Sequence, residues 1–577
     1  MKKHLLLLAS VFILRIASAQ FINLDWAAGT LGYTSCMGFA VTNDASGNVY
    51  YTGDFNNMVD FDPGPGTYYM TSTLNSDFYV ASLDSSGNFR WAKSFSDGYN
   101  ARGQAITMDE GNNIIISGTF DEQMDFDPGP GSYMLGTNGR SNQGFICSFD
   151  SSGNFRWAKE FVPLSISGAA YTASVVTDGV GHVFLGMSVM DTVIVDPMQF
   201  NDTLVSNSAY SGVVMKLDTS GTIMWVKKFT GTESMLYGIS LDNDLNVLIT
   251  GKFSGSVDFD PSAGVSTLTS VGMQTDIFVC KLDSMGNFIW ARGMGGFAPD
   301  YGSAVVADHN GNVITTGVYM STADFDPGAG VFNYTASGSY DIFISKLDPN
   351  GNFIWAKEIG GTTACEITSL AIAVDTLGNI YSAGHFNYVN SGSFDFDPGP
   401  GTFILTTWGD AAFLLALDPA GDFLYAGKMA GQPTDGASIM GMVVDKNSGY
   451  LYVTGIFEGN IDFDPGVGNT NLPSNGPAES FVCKLRYDIM NRVAEDERSG
   501  DFTVFPNPAN DVCYISTKTY TANATVRIIT TQGQVLSESR NHSGHVFEID
   551  VRNLPPAVYI IEIETAGQIS HRRILHL

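Results

Sequence analysis

The stretch that decides the fold is residues 77–91, Asp-Phe-Tyr-Val-Ala-Ser-Leu-Asp-Ser-Ser-Gly-Asn-Phe-Arg-Trp, which returns along the chain in altered form. Alternating β-branched and aromatic residues on both sides of Asp-x-x-Gly-Asn predict two strands joined by a tight turn. A similar hairpin precedes each copy, as at 105–118 and 304–317. Each repeat therefore predicts four strands, which we name A to D in chain order. The strand D aromatic residue, which we expect to pack on the neighbouring sheet, stands at Trp91, Trp157, Trp225, Trp290, Trp355 and Tyr425.

A second marker, Asp-Phe-Asp-Pro, follows strand B in six repeats. A degenerate copy, Ile194-Val195-Asp196-Pro197, fills the one gap and brings the number of repeats to seven. Successive prolines of the marker are 64 to 71 residues apart. Self-similarity at this period indicates a repeat architecture in which neighbouring units share a core. The intact copies occupy 60–63, 125–128, 258–261, 324–327, 395–398 and 462–465.

The repeats are circularly offset along the chain. The last repeat leaves the pattern after Leu485 and lacks a strand D, whereas 23–27 match 88–92 and supply an extra strand D at the beginning. Pairing the first strand with the last repeat removes two sheet edges at once. The offset predicts an all-β fold with a closed, seven-bladed β-propeller of four-stranded blades over residues 20–487.

The repeat at 44–53 and 77–91 resembles the SBBP bacterial β-propeller repeat. The similarity extends over residues 20 to about 487. It implies a propeller fold and an extracellular location, and it carries no catalytic residues with it.

Both ends of the chain have features of exported proteins. Residues 1–19 combine Lys2 and Lys3 with an apolar run and a small-residue site, which predicts a signal peptide cleaved between Ala19 and Gln20. No later stretch has the length and hydrophobicity of a membrane span. The polar segment 488–500 predicts a linker, and 501–577 predict a small β-sandwich of seven short strands.

Residues 501–577 resemble the type A C-terminal sorting domain of the type IX secretion system. The resemblance implies export of the chain across the outer membrane of a Gram-negative bacterium, followed by release or surface attachment, with the secretion machinery as a partner. Ala557 departs from the glycine that the family usually has in this motif. The positions that carry the motif are Pro506, Asn507, Pro508, Gly533, Leu554, Pro555 and Tyr559.

The paired carboxylates of the second marker have two open interpretations. Residues i and i+2 of an extended chain lie on one side, so each pair offers hard oxygen ligands for Ca²⁺. Alternatively, each pair accepts backbone N–H groups and fixes the loop, with the intervening Phe turned inward. The degenerate copy keeps only its second Asp, which suggests that the second carboxylate is the more structural one. The candidate ligands are Asp60, Asp62, Asp125, Asp127, Asp258, Asp260, Asp324, Asp326, Asp395, Asp397, Asp462 and Asp464.

The net charge and the spacing of residues limit the classes of function that the sequence allows. A net charge of −30 disfavours nucleic acids as partners, and no histidine cluster or asymmetric acid pair indicates a catalytic site. The short A–B and C–D turns lie at one end of the sheets and the longer B–C and D–A connections at the other, where we expect partners to dock. The prediction is a surface binding or adhesion protein that recognises glycans or proteins. A polysaccharide hydrolase or lyase and a structural coat protein are the alternatives. Three of the six cysteines share one strand position in non-adjacent repeats, two share another in distant repeats and Cys513 is alone in the C-terminal domain, so we expect free, mostly buried thiols.

Overall fold

The computed structural model describes residues 22–96, 98–137, 139, 142–195, 202–206, 209–361, 365–388, 392–446, 448–466, 468–487, 502–505, 512–530, 535–552, 554, 557–565 and 568–576. The chain divides into two compact units, Met1–Tyr487 and Asp488–Leu577. The signal peptide and the linker predicted from the sequence lie outside the described residues.

The strands of the first unit, in chain order, are β1 (Ile22–Gly29), β2 (Leu31–Gly32), β3 (Cys36–Asn43), β4 (Val49–Asp60), β5 (Tyr69–Leu83), β6 (Phe89–Phe95), β7 (Ala101–Met108), β8 (Ile114–Phe120), β9 (Met124–Asp125), β10 (Met134–Leu135), β11 (Gln143–Phe149), β12 (Phe155–Pro163), β13 (Ala169–Thr177), β14 (His182–Met190), β15 (Thr192–Val195), β16 (Asp202–Val205), β17 (Ser211–Asp218), β18 (Ile223–Lys228), β19 (Thr230–Leu241), β20 (Val247–Asp258), β21 (Thr267–Thr269), β22 (Thr275–Leu282), β23 (Phe288–Gly296), β24 (Tyr301–Ala307), β25 (Val313–Tyr319), β26 (Thr322–Asp324), β27 (Asn333–Thr335), β28 (Asp341–Leu347), β29 (Phe353–Gly361), β30 (Cys365–Val374), β31 (Ile380–Tyr388), β32 (Gly392–Asp395), β33 (Ile404–Thr407), β34 (Ala411–Leu417), β35 (Phe423–Met429), β36 (Gly436–Asp445), β37 (Tyr450–Glu458), β38 (Asn460–Asp462), β39 (Asn471–Pro473) and β40 (Glu479–Tyr487).

The chain is all-β, as the sequence predicts. Across the described residues the only helical element is a single 3₁₀ turn at Val271–Met273. In each repeat strands A, B, C and D lie side by side in that order and pair antiparallel, as β24-β25-β28-β29 do in the fifth repeat. Strand pairs B–C carry apolar residues on both faces, and the cores lie between adjacent sheets. One such core joins Tyr50 and Phe78 of the first repeat to Ile106 and Phe145 of the second.

The first strand of the chain pairs with the last repeat, which confirms that part of the prediction. The sheet has the order β1-β40-β37-β36, and β1 runs antiparallel to β40 from Ile22 opposite Tyr487 to Gly29 opposite Phe481. The strand β1 therefore serves as strand D of the last repeat, which lacks a strand D of its own. Strand A of each repeat contacts strand A of the next, and β36 of the seventh repeat contacts β3 of the first.

The turns follow the chemistry that the sequence indicates. Asp84 Oδ1 accepts the backbone N–H groups of Ser86 at 2.8 Å and Asn88 at 2.9 Å, which closes the C–D turn of the first repeat. Gly87 has a φ of 84°, a left-handed conformation that favours glycine. Asx turns of this kind are therefore local consequences of Asp-x-x-Gly-Asn.

The strand D tryptophans connect neighbouring repeats. Trp26 Nε1 donates to the Ser85 carbonyl of the next C–D turn at 3.1 Å. The same bond joins Trp91 to Ser151 at 3.2 Å and Trp157 to Thr219 at 2.9 Å. The predicted packing of these rings on the neighbouring sheet is confirmed at these positions.

The second unit differs in detail from the prediction. Its strands are β41 (Phe502–Phe505), β42 (Val512–Thr530), β43 (Val535–Asp550), β44 (Ala557–Thr565) and β45 (Gln568–His576). Two pairs of predicted short strands are continuous here, because bulges let β42 and β43 bend without breaking. The described strands form one connected sheet of order β41-β42-β44-β45, with β43 paired to β42. The prediction of seven short strands is therefore wrong for this part of the chain.

Candidate functional site

The first carboxylate of each Asp-Phe-Asp-Pro marker fixes its own loop. Asp60 Oδ1 accepts the backbone N–H groups of Asp62 at 3.1 Å and Tyr68 at 2.7 Å. Burial alone would raise the pKa of Asp125, but its bonds from Tyr133 and Asp127 outweigh burial and lower the pKa. Equivalent pairs of bonds are made by Asp125, Asp258, Asp324, Asp395 and Asp462.

The second carboxylate makes one loop bond and lies against a glycine. Asp62 Oδ1 accepts the Gly64 N–H at 2.8 Å, and a side-chain carbon at Gly66 would overlap the other carboxylate oxygen. The sequence analysis missed this second glycine, although Asp-Phe-Asp-Pro-Gly-x-Gly is visible in several copies. The matching carboxylates are Asp127, Asp260, Asp326, Asp397 and Asp464, and the matching glycines are Gly131, Gly264, Gly330, Gly401 and Gly468.

These bonds correct the inference drawn from the degenerate copy. The first carboxylate holds two backbone groups and the second holds one, so the first is the more structural of the pair. In the degenerate copy, Val195 is buried at the place that Phe occupies elsewhere, while Asp196 and Pro197 lie outside the described residues. The six phenylalanines of the intact markers are all fully buried.

The markers lie at the seams between repeats, which corrects their predicted placement on the docking face. After strand B the chain reverses and pairs with the outer strand of the preceding repeat, as Asp60 does with Leu31 and Asp324 with Gly295. On its return the loop also contacts its own repeat, where Tyr68 Oη donates to the Ala92 carbonyl in strand D at 3.2 Å. Burial of the marker Phe and these added hydrogen bonds favour this reversal over an extended loop.

The prediction of calcium at the paired carboxylates stays a prediction. Over the described part of the chain, no three side chains of His, Cys, Asp or Glu come together in a metal-binding arrangement. One oxygen of each carboxylate already accepts hydrogen bonds from backbone N–H groups. A site would have to combine the remaining oxygens with backbone carbonyls or water.

A cleft recurs at four seams, and we call these the seam clefts. In each, the second Asp and the Pro of a marker face strand D of the preceding repeat. The first is lined by Trp26, Asp62, Pro63 and Phe89 and has a volume of about 310 Å³. The others measure about 500 Å³ at Asp326, about 320 Å³ at Asp397 and about 350 Å³ at Asp464.

The B–C and D–A end of the sheets exposes large aromatic side chains. Tyr33, Tyr99 and Phe297 stand in D–A connections with 79%, 51% and 81% of their surface exposed, and Trp408, before the start of a strand C, is 66% exposed. Within the described A–B and C–D turns the exposed large apolar side chains are aliphatic: Val180, Met285 and Leu377. The two ends of the sheets therefore differ in the chemistry that they offer a partner.

Buried acids line the same B–C and D–A end. Asp276 and Asp300 are at most 3% exposed. Asp300 accepts N–H groups from Gly296 at 2.8 Å and Met320 at 2.9 Å. Burial raises the pKa of Asp276 to about 6, and burial together with the nearby Asp276 raises the pKa of Asp300 to about 7.

Two histidines of the first unit, His182 and His385, have separate local partners. His182 Nδ1 lies 2.6 Å from Asp178 Oδ2, in an A–B turn. His385 Nδ1 lies 3.2 Å from Ser438 Oγ, and burial lowers the pKa of His385. These contacts stabilise turns and strands and do not bring the two rings together.

The cysteines agree with the expectation of free thiols where the structure describes them. Cys36, Cys147, Cys280, Cys483 and Cys513 are free and buried. Burial raises the pKa of Cys36 to about 12 and of Cys513 to about 11, which suppresses the reactive thiolate. The side chain of the sixth cysteine, at position 365, lies outside the described residues.

The described sorting-motif residues belong to the core of the second unit. Tyr559 is 4% exposed and packs with Ile515, Val526 and Phe547, and Leu554 packs against the same cluster. Pro506, Asn507, Pro508, Gly533 and Pro555 lie outside the described residues, as do the cleavage residues Ala19 and Gln20.

Comparison with protein families identifies the second unit. Residues 503–576 match the family model of a secretion system C-terminal sorting domain. No helix in the described residues has the length and hydrophobicity to cross a membrane.

Two curated proteins resemble parts of the chain. An uncharacterized WD repeat-containing protein, L264 of Acanthamoeba polyphaga mimivirus, is 23% identical over 76% of this chain and 36% of its own length. The regulatory protein FlaEY of Caulobacter vibrioides is 25% identical over 33% of this chain and 19% of its own length. The chain thus spans about a third and a fifth of these two relatives.

Among solved structures, the extracellular domain of the hybrid two component system BT4673 from B. thetaiotaomicron aligns with 96% of this chain at 9% identity, with a TM-score of 0.16. The repeats and the WD-repeat relative agree that this is a repeat protein. Its C-terminal unit is a type IX secretion C-terminal sorting domain, so the chain is a secreted or cell-surface protein.

Proposed function

We propose that this chain is a surface binding or adhesion protein built on a closed, seven-bladed β-propeller over residues 20–487. The pairing of β1 with β40 and the contact between β36 and β3 support closure. The seven-fold repeat and the WD-repeat relative support the blade count and the propeller fold. The SBBP-like character of the repeats belongs to the same proposal.

Residues 1–19 act as a signal peptide for the first export step in this proposal. The sorting unit, 501–577, then directs the chain across the outer membrane of a Gram-negative cell, and 488–500 link it to the propeller. The mature surface protein presents the propeller to partners outside the cell. The sorting-domain match supports this route.

The observation that carries the binding role is the difference between the two ends of the sheets. The B–C and D–A end exposes Tyr33, Phe297 and Trp408, each with at least 66% of its surface accessible. Aromatic side chains contribute large contact areas at low entropic cost and dominate many protein interfaces. The opposite turns are short and expose aliphatic residues instead.

The test compares two triple variants of the whole chain. Tyr33→Ser, Phe297→Ser and Trp408→Ser together alter the aromatic end. Val180→Ser, Met285→Ser and Leu377→Ser alter the opposite turns and form the control.

Binding is measured on arrays of glycans and immobilised extracellular-matrix proteins. We expect the aromatic variant to bind at least about 30-fold more weakly, because the loss of even one hot-spot aromatic costs about 2 kcal/mol or more. The control should bind like the parent chain. Equal binding by both variants would contradict the proposed docking face.

A further inference from the structure

The seam clefts share one construction at four places in the repeat ring. One wall is the marker loop of a repeat, and the other is strand D of the preceding repeat. The outer strand contributes at least one small residue to each cleft, such as Ala27 in the first and Gly427 in the last described one. A side-chain carbon at Gly427 would overlap the Pro465 carbonyl and the Tyr425 hydroxyl, so the space depends on glycine there.

Each seam cleft holds a carboxylate in a fixed position. Asp62 Oδ1 is occupied by the Gly64 N–H, and Asp62 is half-buried at the cleft wall. The carboxylate is thereby oriented by its loop, with its other oxygen beside Gly66. Asp326, Asp397 and Asp464 have the same loop bond and line the equivalent clefts.

Each seam cleft also contains an aromatic ring beside the carboxylate. Trp26 and Phe89 line the first, Phe353 the one at Asp326, Tyr334 the one at Asp397, and Tyr425 the one at Asp464. An aromatic face packs against apolar C–H groups, while a carboxylate accepts hydroxyl hydrogens. Sugar rings present both kinds of group.

The charges in the clefts indicate neutral sugars. Arg292 lines one cleft, but its Nε and Nη2 donate to the Gly351 and Asn350 carbonyls. Lys428 lines another and donates its Nζ to the Thr406 carbonyl. Bonds to carbonyls fix these cations in place but leave their charge. The clefts at Asp62 and Asp397 are lined by carboxylates and by no Lys or Arg, so an anionic polysaccharide would be repelled there.

From these features we infer that the seam clefts are equivalent binding sites for hexose units of a neutral polysaccharide. Several weak sites on one chain engage a polymer together, which raises the overall affinity without any new contact. The inference rests on the proposed function, since it names a ligand class for an exported binding protein. It uses sites at the rim that are separate from the aromatic end of the sheets.

The test uses the whole chain and immobilised dextran, mannan and galactan, with alginate as an anionic polymer and collagen as a protein. The main variant combines Asp62→Asn, Asp326→Asn, Asp397→Asn and Asp464→Asn. Asparagine keeps an oxygen for the loop N–H and removes the charge. Glu110→Gln with Glu458→Gln removes exposed charge outside the clefts and is the control.

We expect the parent chain to bind at least one neutral polymer. The fourfold variant should bind that polymer at least about 100-fold more weakly, since avidity from linked sites is of this size. A single Asp62→Asn change should weaken binding a few-fold, and the control should match the parent. Ala27→Trp fills the first cleft from its opposite wall. This variant should weaken binding by the same few-fold factor as Asp62→Asn, and it keeps the test valid if the fourfold variant folds poorly.

Two results would overturn the inference. One is a fourfold variant that folds and binds the neutral polymers like the parent. The other is a parent chain that binds only alginate or collagen, or none of the polymers. Binding to collagen that depends on Tyr33, Phe297 and Trp408 would in that case preserve the proposed function while the seam clefts fail.

Discussion

Replacing Trp26 tests whether the first strand of the chain holds the last and first repeats together. Trp26 stands in β1, which pairs with β40 at the other end of the first unit. Its indole donates to the Ser85 carbonyl and its ring packs on Gly87, both in the C–D turn of the first repeat. One side chain therefore joins the last sheet to the first.

The structure gives the expected size of the effect. Removal of a buried tryptophan side chain costs about 3–5 kcal/mol, and Trp26 is half-buried, so Trp26→Ala should cost about 2–3 kcal/mol. Trp26→Phe keeps most of the ring and loses the N–H donor. The Ser85 carbonyl still accepts Lys484 Nζ at 3.0 Å, so this change should cost only about 1 kcal/mol.

The measurements are urea unfolding and hydrogen exchange. Trp408→Ala is the control, because that ring is 66% exposed and its loss should cost less than about 0.5 kcal/mol. In Trp26→Ala we expect a lower unfolding midpoint and faster exchange of the amides of 481–487. The reasoning is refuted if Trp26→Ala and Trp408→Ala have the same midpoint and the amides of 481–487 exchange as in the parent chain.

Four further predictions use thermal unfolding or thiol labelling. Asp60→Ala should lower the unfolding temperature more than Asp62→Ala, because Asp60 holds two backbone N–H groups and Asp62 one. In the same assay calcium at 100 times its dissociation constant would add about 2.7 kcal/mol, so equal melting in chelator and millimolar calcium would exclude occupied markers. Asp276 and Asp300 have raised pKa values of about 6 and about 7, so the folded chain binds more protons than the unfolded chain between about pH 4 and 7. Stability should therefore fall as the pH rises through this range, and Asp300→Asn should flatten the dependence; an unchanged slope in that variant would contradict the assignment. A thiol reagent should label the buried cysteines, such as Cys280, only after denaturation, and rapid labelling of the folded chain would contradict their burial.

Much of the first unit could be predicted because its signals are local or periodic. Asp-x-x-Gly-Asn specifies its own turn, and the alternation of apolar residues specifies each strand. The surplus strand D at 23–27 was enough to predict that β1 pairs with β40, because only the last repeat lacked a strand D of its own. An inward-turned Phe in each marker was part of one of the two interpretations that the sequence left open, and the six phenylalanines of the intact markers are buried.

The placement of the Asp-Phe-Asp-Pro loops could not be predicted in the same way. The sequence places them after strand B, and only the tertiary structure reveals that they reverse onto the outer strand of another repeat. Asp324 pairs with Gly295 across such a seam. The sequence also did not reveal which carboxylate of each pair holds more backbone N–H groups, because those bonds form only when the loop reverses.

The sequence by itself determined the strands, their order within each repeat and the surplus strand at the amino end, because these depend on neighbouring residues and on a regular period. Only the tertiary structure decided which surfaces meet at the seams. Trp26 donates a hydrogen bond to the Ser85 carbonyl. Lys484, from a distant part of the chain, donates to the same carbonyl. The seam clefts arise where two such repeats meet, so no single repeat contains enough information to specify them.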